Sequence, residues 1–440
     1  MGLEYDRARP RASGHDRKAV LKAVRHAPPA PRPSLHSQEP HRMDRLVNTV
    51  RPYAWGSTTA IPELLGIQPT GEPQAEMWMG AHPGAPSRVD RGAGSTALSE
   101  VIAADPEGEL GADSVSLFGP RLPFLLKVLA AASPLSLQVH PDLAQAKEGF
   151  ADEEVRGVPA DAPHRNYKDA NHKPELICAL TPFNGLCGFR DPNEAAELLA
   201  ALEVDSLKPY VDILHAHPES HALREVLTAV LTADPEAMAE TVRQATAAAE
   251  RLGAQDGPHA PAYTAYASIA RHYPGDPGVI AAILLNFVTL QPGEALYLGA
   301  GVPHAYLDGL GVEIMANSDN VLRCGLTPKH VDVPELLRVV RFESAAPAVL
   351  RPEADPSGEE LYTTPIDEFR LSRHVLADGA APRPLPATGP QILLCASGEV
   401  SLRGADGELP LKRGESAFVP AGEEAALSGD GTVFRATVNA

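Results

Sequence analysis

Two segments far apart in the chain read in the same frame, and that repeat restricts the fold more than any other feature. "LQPGEALYLGAGVPHAY" (290–306) aligns without a gap on "LKRGESAFVPAGEEAAL" (411–427). They share a leading Leu, a Gly-Glu pair, an aromatic residue followed by Leu or a β-branched residue, and then Ala-Gly. A strand, a Gly-Glu turn and a second strand explain this frame, and such a unit recurs in double-stranded β-helix (jelly-roll) barrels. The expectation is two related barrels. Where the first copy has His304 the second has Ala425, so only the first is equipped for chemistry there.

Around the repeat, the pattern changes twice. From 43 to 190 short apolar runs are broken by Pro, Gly and Asp, which reads as strands and turns. "PNEAAELLAAL", "HALREVLTAVL" and "DPEAMAETVRQATAAAERLG" then show helical spacing, with Asp or Pro at their starts and Gly253 near a stop. Strands return after Pro277. The expected organisation is mainly β with a helical insertion. Residues 1–42 form a disordered basic tail, with Met43 as the natural start. Residues 43–190 and 276–345 form a catalytic barrel domain, 191–275 a helical domain, and 346–440 a second barrel-like domain.

Composition narrows the function classes. With Lys+Arg 38 against Asp+Glu 57, the net charge of −19 does not suit a protein that holds nucleic acid or anionic membrane through its overall field. It does not exclude an anionic small substrate, provided that Lys and Arg line one pocket. No apolar run reaches the length of a membrane span. Cys178, Cys187, Cys324 and Cys395 are scattered without C-x-x-C spacing, which disfavours a disulfide framework or thiolate zinc site and fits a reducing cytoplasm.

Candidate metal ligands come from segments without cysteine. In "PLSLQVHPD" (134–142) Leu135, Leu137 and Val139 alternate with Ser136, Gln138 and His140, so Gln138 and His140 share one face of a strand. "NHKPEL" offers His172 and Glu175, and "GAGVPHAY" offers His304 on a turn preset by Pro303. Two imidazoles, a carboxylate and an amide oxygen suit zinc or a similar divalent ion, which with such ligands keeps enough Lewis acidity to accept a substrate oxygen. Each residue has a blander reading, since a lone His in a β protein is more often a hydrogen-bonded surface or core residue. A second set is cationic. Lys127 interrupts the apolar "LPFLLKVL", where a Lys usually snorkels to the surface. Lys173 follows His172, and Arg323 and Lys329 follow "ANSDNVL". Near a metal these cations could instead bind phosphate or carry protons, with Glu313 and Asp319 as acid–base or orienting groups.

These segments together identify the chain as similar to a known family. "YAWGS" (53–57), "EMWMGAHPGAPS" (76–87), "LPFLLKVL", "PLSLQVHPD", "NHKPEL" and "GAGVPHAYLDGLGVEIMANSDNVLRCGLTPKHVD" (299–332) resemble, in order, the type I phosphomannose isomerases, zinc enzymes of the cupin superfamily. The resemblance runs from Met43 to the C-terminus, and Met77 stands where the family usually has Leu. It implies one Zn2+ per chain on Gln138, His140, Glu175 and His304. It also implies a pocket containing Trp78, Lys127, Ser136, Lys173, Glu313, Asp319, Arg323 and Lys329. The implied fold is a catalytic cupin barrel, a helical domain and a metal-free cupin-like barrel.

The implied reaction interconverts mannose 6-phosphate and fructose 6-phosphate through a cis-enediol, feeding GDP-mannose metabolism. Lys173 is the expected base, because a nearby divalent ion disfavours its charged form, with Glu313 as the alternative. Arg323 is the expected electrostatic partner, and His172 or Asp319 would assist ring opening. Trp78, Lys127, Ser136 and Lys329 would bind substrate. A monomer working on a small sugar phosphate, without nucleic acid or membrane as partner, is expected. The alternatives are another metal-dependent cupin enzyme, an oxygenase or decarboxylase, and a non-catalytic sugar-phosphate-binding cupin.

Overall fold

The run Phe124–Ala131 is buried at every position, which only a strand covered on both faces can be. This strand anchors a large antiparallel sheet system. Its strands are β1 (Glu76–Met79), β2 (Phe124–Ala131), β3 (Leu137–Val139), β4 (Glu175–Ala179), β5 (Phe183–Phe189), β6 (Leu285–Leu290), β7 (Ala295–Leu298), β8 (His304–Ala316) and β9 (Leu322–Gly325), with Thr49–Arg51 and Val349–Leu350 at its margins. The computed structural model describes residues 43–439 apart from 93, 217 and 406; the basic tail expected at residues 1–42 lies outside the described residues.

The long strand β8 belongs to two sheets at once. Its first half pairs with β3 and β5, and its second half with β2 and β4. The change of partners falls at Gly309, whose φ of 127° is open to glycine, and where a Cβ would lie 2.8 Å from the Phe183 Cα. One strand thus wraps around the cavity between two sheet layers.

A second antiparallel system contains β10 (Glu359–Tyr362), β11 (Arg370–Leu376), β12 (Gln391–Gly404), β13 (Ser416–Val419) and β14 (Ala425–Thr437), with Asp44–Arg45 added at the edge of β13. The sequence repeat is structural here. β7 and β13 occupy the same place in the frame, and His304 and Ala425 both open the strand that follows. Both turns close alike: the Gln291 N–H donates to Glu294 Oε2 at 2.9 Å, and the Lys412 N–H to Glu415 Oε2 at 2.8 Å. Their glycines match too, Gly293 with Gly414 and Gly301 with Gly422, all at positive φ.

Helices fill the interval between β5 and β6: α1 (Pro192–Ala201), α2 (Lys208–Ala216), α3 (Glu219–Leu231), α4 (Pro235–Gly253), α5 (Ala260–His272) and α6 (Gly278–Ile283). α1 and α4 start as their sequences predict, with Asp191 or Asp234 accepting a backbone N–H and Pro at the first helical position. Their apolar faces pack with Leu137, Val139, Leu186, Ala305 and Leu322 in one core. A second core, including Met77, Phe124, Val128, Ile314, Phe369, Leu371 and Phe434, joins the two sheet systems. Leu137 and Val139 therefore face the helices, and Gln138 between them faces the other way.

Candidate metal centre and substrate cavity

His140 follows β3 directly, Glu175 opens β4 and His304 opens β8. All three are buried, and the atoms that they offer a metal lie within 4.8 Å of one another. The His140 Nδ1–H donates to the Asn320 carbonyl at 2.8 Å, and the His304 Nδ1–H to the Val302 carbonyl at 2.9 Å. A carbonyl can only accept, so each ring in its neutral form turns an unprotonated Nε2 toward Glu175, at 3.4 Å from its Oε1 and Oε2 respectively. Neither Nε2 nor Glu175 Oε2 has a hydrogen-bond partner. Three buried ligand atoms gathered this closely without hydrogen-bond partners form the arrangement that a divalent cation satisfies.

The electrostatics agree with that use. Burial lowers the His140 pKa to about 4, which keeps the ring neutral and ready to ligate. Burial alone would raise the Glu175 pKa, but the Lys173 ammonium beside it holds it well below the usual carboxylate range. The set suits zinc. Gln138 stands in register between His304 on β8 and Arg323 on β9, which puts its side chain on the same face as both. Ala425, which replaces His304 in the second sheet system, has no ligating atom, and among the described residues the His140–Glu175–His304 cluster is the one such group.

Next to this centre is a cavity of about 410 Å³. Of the residues singled out in the sequence, it is lined by Trp78, Lys127, Ser136, Gln138, Lys173, Glu175, Glu313, Asp319, Arg323 and Lys329. Trp78, Lys127 and Glu313 form a row across β1, β2 and β8. Lys127 does not snorkel. It is buried between Glu313 Oε2 at 3.1 Å and Glu76 Oε1 at 3.5 Å, with the Trp78 ring beside it. Burial disfavours its ammonium, but the two carboxylates outweigh that and raise its pKa, so Lys127 is a fixed cation. Burial raises the Glu313 pKa despite Lys127. Lys173 Nζ lies 3.1 Å from Glu175 Oε1. Asp319 meets His82 Nε2 at 3.4 Å and is held below the usual carboxylate range by that contact.

Arg323 and Lys329 are different. Among the described residues neither side chain has a hydrogen bond or ion pair, and burial lowers both pKa values. An unpaired, half-buried guanidinium beside a second cation is a ready site for an anion.

The structure does not bring His172 to the cavity wall. Its ring instead meets the Glu368 carboxylate, which comes from the segment before β11. His304 is not in the turn after Pro303 but is the first residue of the strand. Sequence reasoning also passed over two residues. Glu76 ties Lys127 to the Trp78 indole N–H, at 2.7 Å; its signal was a carboxylate two positions from Trp78 on the same face of an apolar strand. Asn320 is fully buried, and while its carbonyl orients His140 its side chain holds the backbone of Lys168, Asp169 and Asn171.

Comparison with known proteins gives one consistent result. The family model for the phosphomannose isomerase type I catalytic domain matches residues 43–192. The chain is 42% identical over 397 residues to mannose-6-phosphate isomerase of Escherichia coli (strain K12), covering 89% of this chain and 99% of that protein. It is 34% identical over 427 residues to mannose-6-phosphate isomerase 1 of Arabidopsis thaliana, covering 90% of this chain and 94% of that one. A crystal structure of a point mutant of phosphomannose isomerase from Salmonella typhimurium superposes with a TM-score of 0.83 at 40% identity, covering 90% of this chain and 100% of the other. A zinc-bound mannose 6-phosphate isomerase superposes with a TM-score of 0.82, also at 40% identity and with the same coverage of both chains.

Proposed function

Because the chain belongs to the type I phosphomannose isomerase family, with its cupin fold, we propose that this cavity interconverts mannose 6-phosphate and fructose 6-phosphate on a zinc-dependent site. The observation that carries the reading is one cavity that joins bare, buried ligand atoms to unpaired cations. An oxygenase or decarboxylase site does not in general require the second half of that pair, whereas a sugar phosphate does. A non-catalytic binder has no use for the acid–base groups set between the halves.

His140, Glu175 and His304 would hold the metal, with Gln138 as the fourth ligand. Bound there, zinc supplies Lewis acidity toward the sugar oxygens. A glutamine in place of a second carboxylate leaves the ion more electrophilic. The sugar lies against Trp78 and Ser136, and its phosphate reaches Lys329 at the open side of the cavity, which positions the reacting carbons from a distance. Asp319 serves the opening of the ring. Lys173 takes the proton from C2 and returns it to C1, which converts aldose to ketose through the cis-enediol. Both residues line the cavity and both are ion-paired, Glu313 to Lys127 and Lys173 to Glu175; Lys173 is favoured as the base because a divalent ion held on Glu175 would take up that carboxylate's charge and disfavour the ammonium beside it. Arg323 stabilises the negative charge that develops on oxygen, and Lys127 adds a fixed positive field. His172 acts from outside the cavity.

Among the described residues no helix is long and apolar enough to cross a membrane. The finer reading, a monomer in the cytoplasm, is supported by the scattered, free and buried cysteines and by the completeness of the site within one chain. Solvent exchange tests the chemistry. With zinc retained, Lys173→Ala should lose incorporation of solvent deuterium at C2 during turnover of fructose 6-phosphate. Exchange at the wild-type rate would remove Lys173 as the base.

A further inference from the structure

His172 and Glu368 make a contact that the reaction as derived does not use. The 169–174 loop, which carries Lys173, has no regular secondary structure and is held mostly by the end of β8 and the connection from it to β9. Asn320 Nδ2 donates to the Asn171 carbonyl at 2.8 Å, Ser318 Oγ donates to it at 3.1 Å, and the Ala316 N–H donates to the Pro174 carbonyl at 3.1 Å. These bonds secure the residues on either side of His172 and Lys173. At His172 itself the hold comes from elsewhere: its Nε2–H donates to Glu368 Oε1, and both side chains are more than four-fifths covered.

Glu368 is in a position to hold something still. The next residue, Phe369, is fully buried in the core between the two sheet systems. The preceding residues are tied to the chain's end, the Asp367 carbonyl by the Asn439 N–H at 3.0 Å and the Ile366 carbonyl by Asn439 Nδ2 at 3.1 Å. An ionised carboxylate can only accept, so Nε2 carries the proton in this contact.

We propose that Glu368 is a positioning residue for the isomerisation, holding the His172 ring and thereby the backbone that carries Lys173. The C-terminal region thus supplies a part of the active site without touching substrate. The proposal rests on the reading of Lys173 given above. It explains why an apolar interface between the sheet systems ends in a charged contact at this loop.

Steady-state kinetics on zinc-loaded protein test it. Glu368→Ala should lower kcat for mannose 6-phosphate about tenfold and change KM less than about twofold, as loss of an orienting partner does. Zinc should remain at one per chain. Glu368→Gln keeps an accepting oxygen and should recover most of the loss; being nearly isosteric, it also covers a failure of the alanine variant to fold. In a His172→Ala background Glu368→Ala should have no further effect. Wild-type kcat in zinc-loaded Glu368→Ala would overturn the proposal, and so would an equal loss with and without His172. A wild-type chain that turns over no sugar phosphate would remove the functional reading itself, which is a different failure from an active enzyme indifferent to residue 368.

Discussion

His140 and His304 each use one ring nitrogen on a backbone carbonyl and present the other bare to Glu175. Substituting either should therefore remove a ligand together with one side-chain hydrogen bond to a backbone carbonyl, a loss of about 1 kcal/mol that leaves the sheet hydrogen bonds in place. His304→Ala is expected to lose zinc and activity together while staying folded, measured as metal per chain after desalting; full zinc occupancy would contradict the ligand assignment. His140 was legible beside Gln138 because same-face spacing in a strand is a property of the sequence, whereas His304 stood out only through its segment and the family resemblance. Glu76 and Asn320 were not. Their importance comes from cross-strand register and from loop backbone groups that only the folded chain brings within reach.

At the scale of elements, the site depends on a few junctions. The segment Leu326–Lys329 closes one side of the cavity, and Leu326 has φ of 56°, a conformation that L residues resist by about 1–2 kcal/mol. Asp276 offsets that strain. Its Oδ1 accepts the N–H groups of Gly278 at 2.7 Å and Leu326 at 3.0 Å, and its Oδ2 accepts that of Thr327 at 3.1 Å. Asp276→Ala should release the segment, raise KM for the sugar phosphate several-fold and lower kcat less. It should also cost roughly 1–3 kcal/mol in urea unfolding. The helices and the strand–turn–strand repeat were readable from periodicity and caps. The two-sheet path of β8 was not, because its break at Gly309 looks like any glycine in a strand until its partners are known.

For the whole molecule, the same burial that shapes the site makes stability depend on pH. Burial lowers the pKa of His140 and of His374, the latter inside the second sheet system, to about 4 from the ordinary 6.5. Between those values the unfolded chain binds more protons than the folded one, so stability rises with pH there and is lost as pH falls from about 6.5 toward 4. The loss is up to roughly 3 kcal/mol for each histidine. Urea unfolding of metal-free protein across that range should show it, and a midpoint independent of pH would contradict the burial argument. Zinc should flatten part of the slope, because a ligated His140 cannot take up a proton. The division of labour between the two sheet systems was already suggested by Ala425 opposite His304. The C-terminal contribution through Glu368 was hidden, since nothing in the spacing of residues 172 and 368 brings them together.

The central claim is that one zinc-dependent cavity performs the isomerisation. It is tested most directly by following fructose 6-phosphate formation from mannose 6-phosphate, first on the purified chain, then after chelation, then after zinc is restored. Turnover should disappear with the metal and return on adding one equivalent of zinc per chain. Undiminished turnover in metal-free protein, or no turnover in protein carrying a full equivalent of zinc, would contradict it.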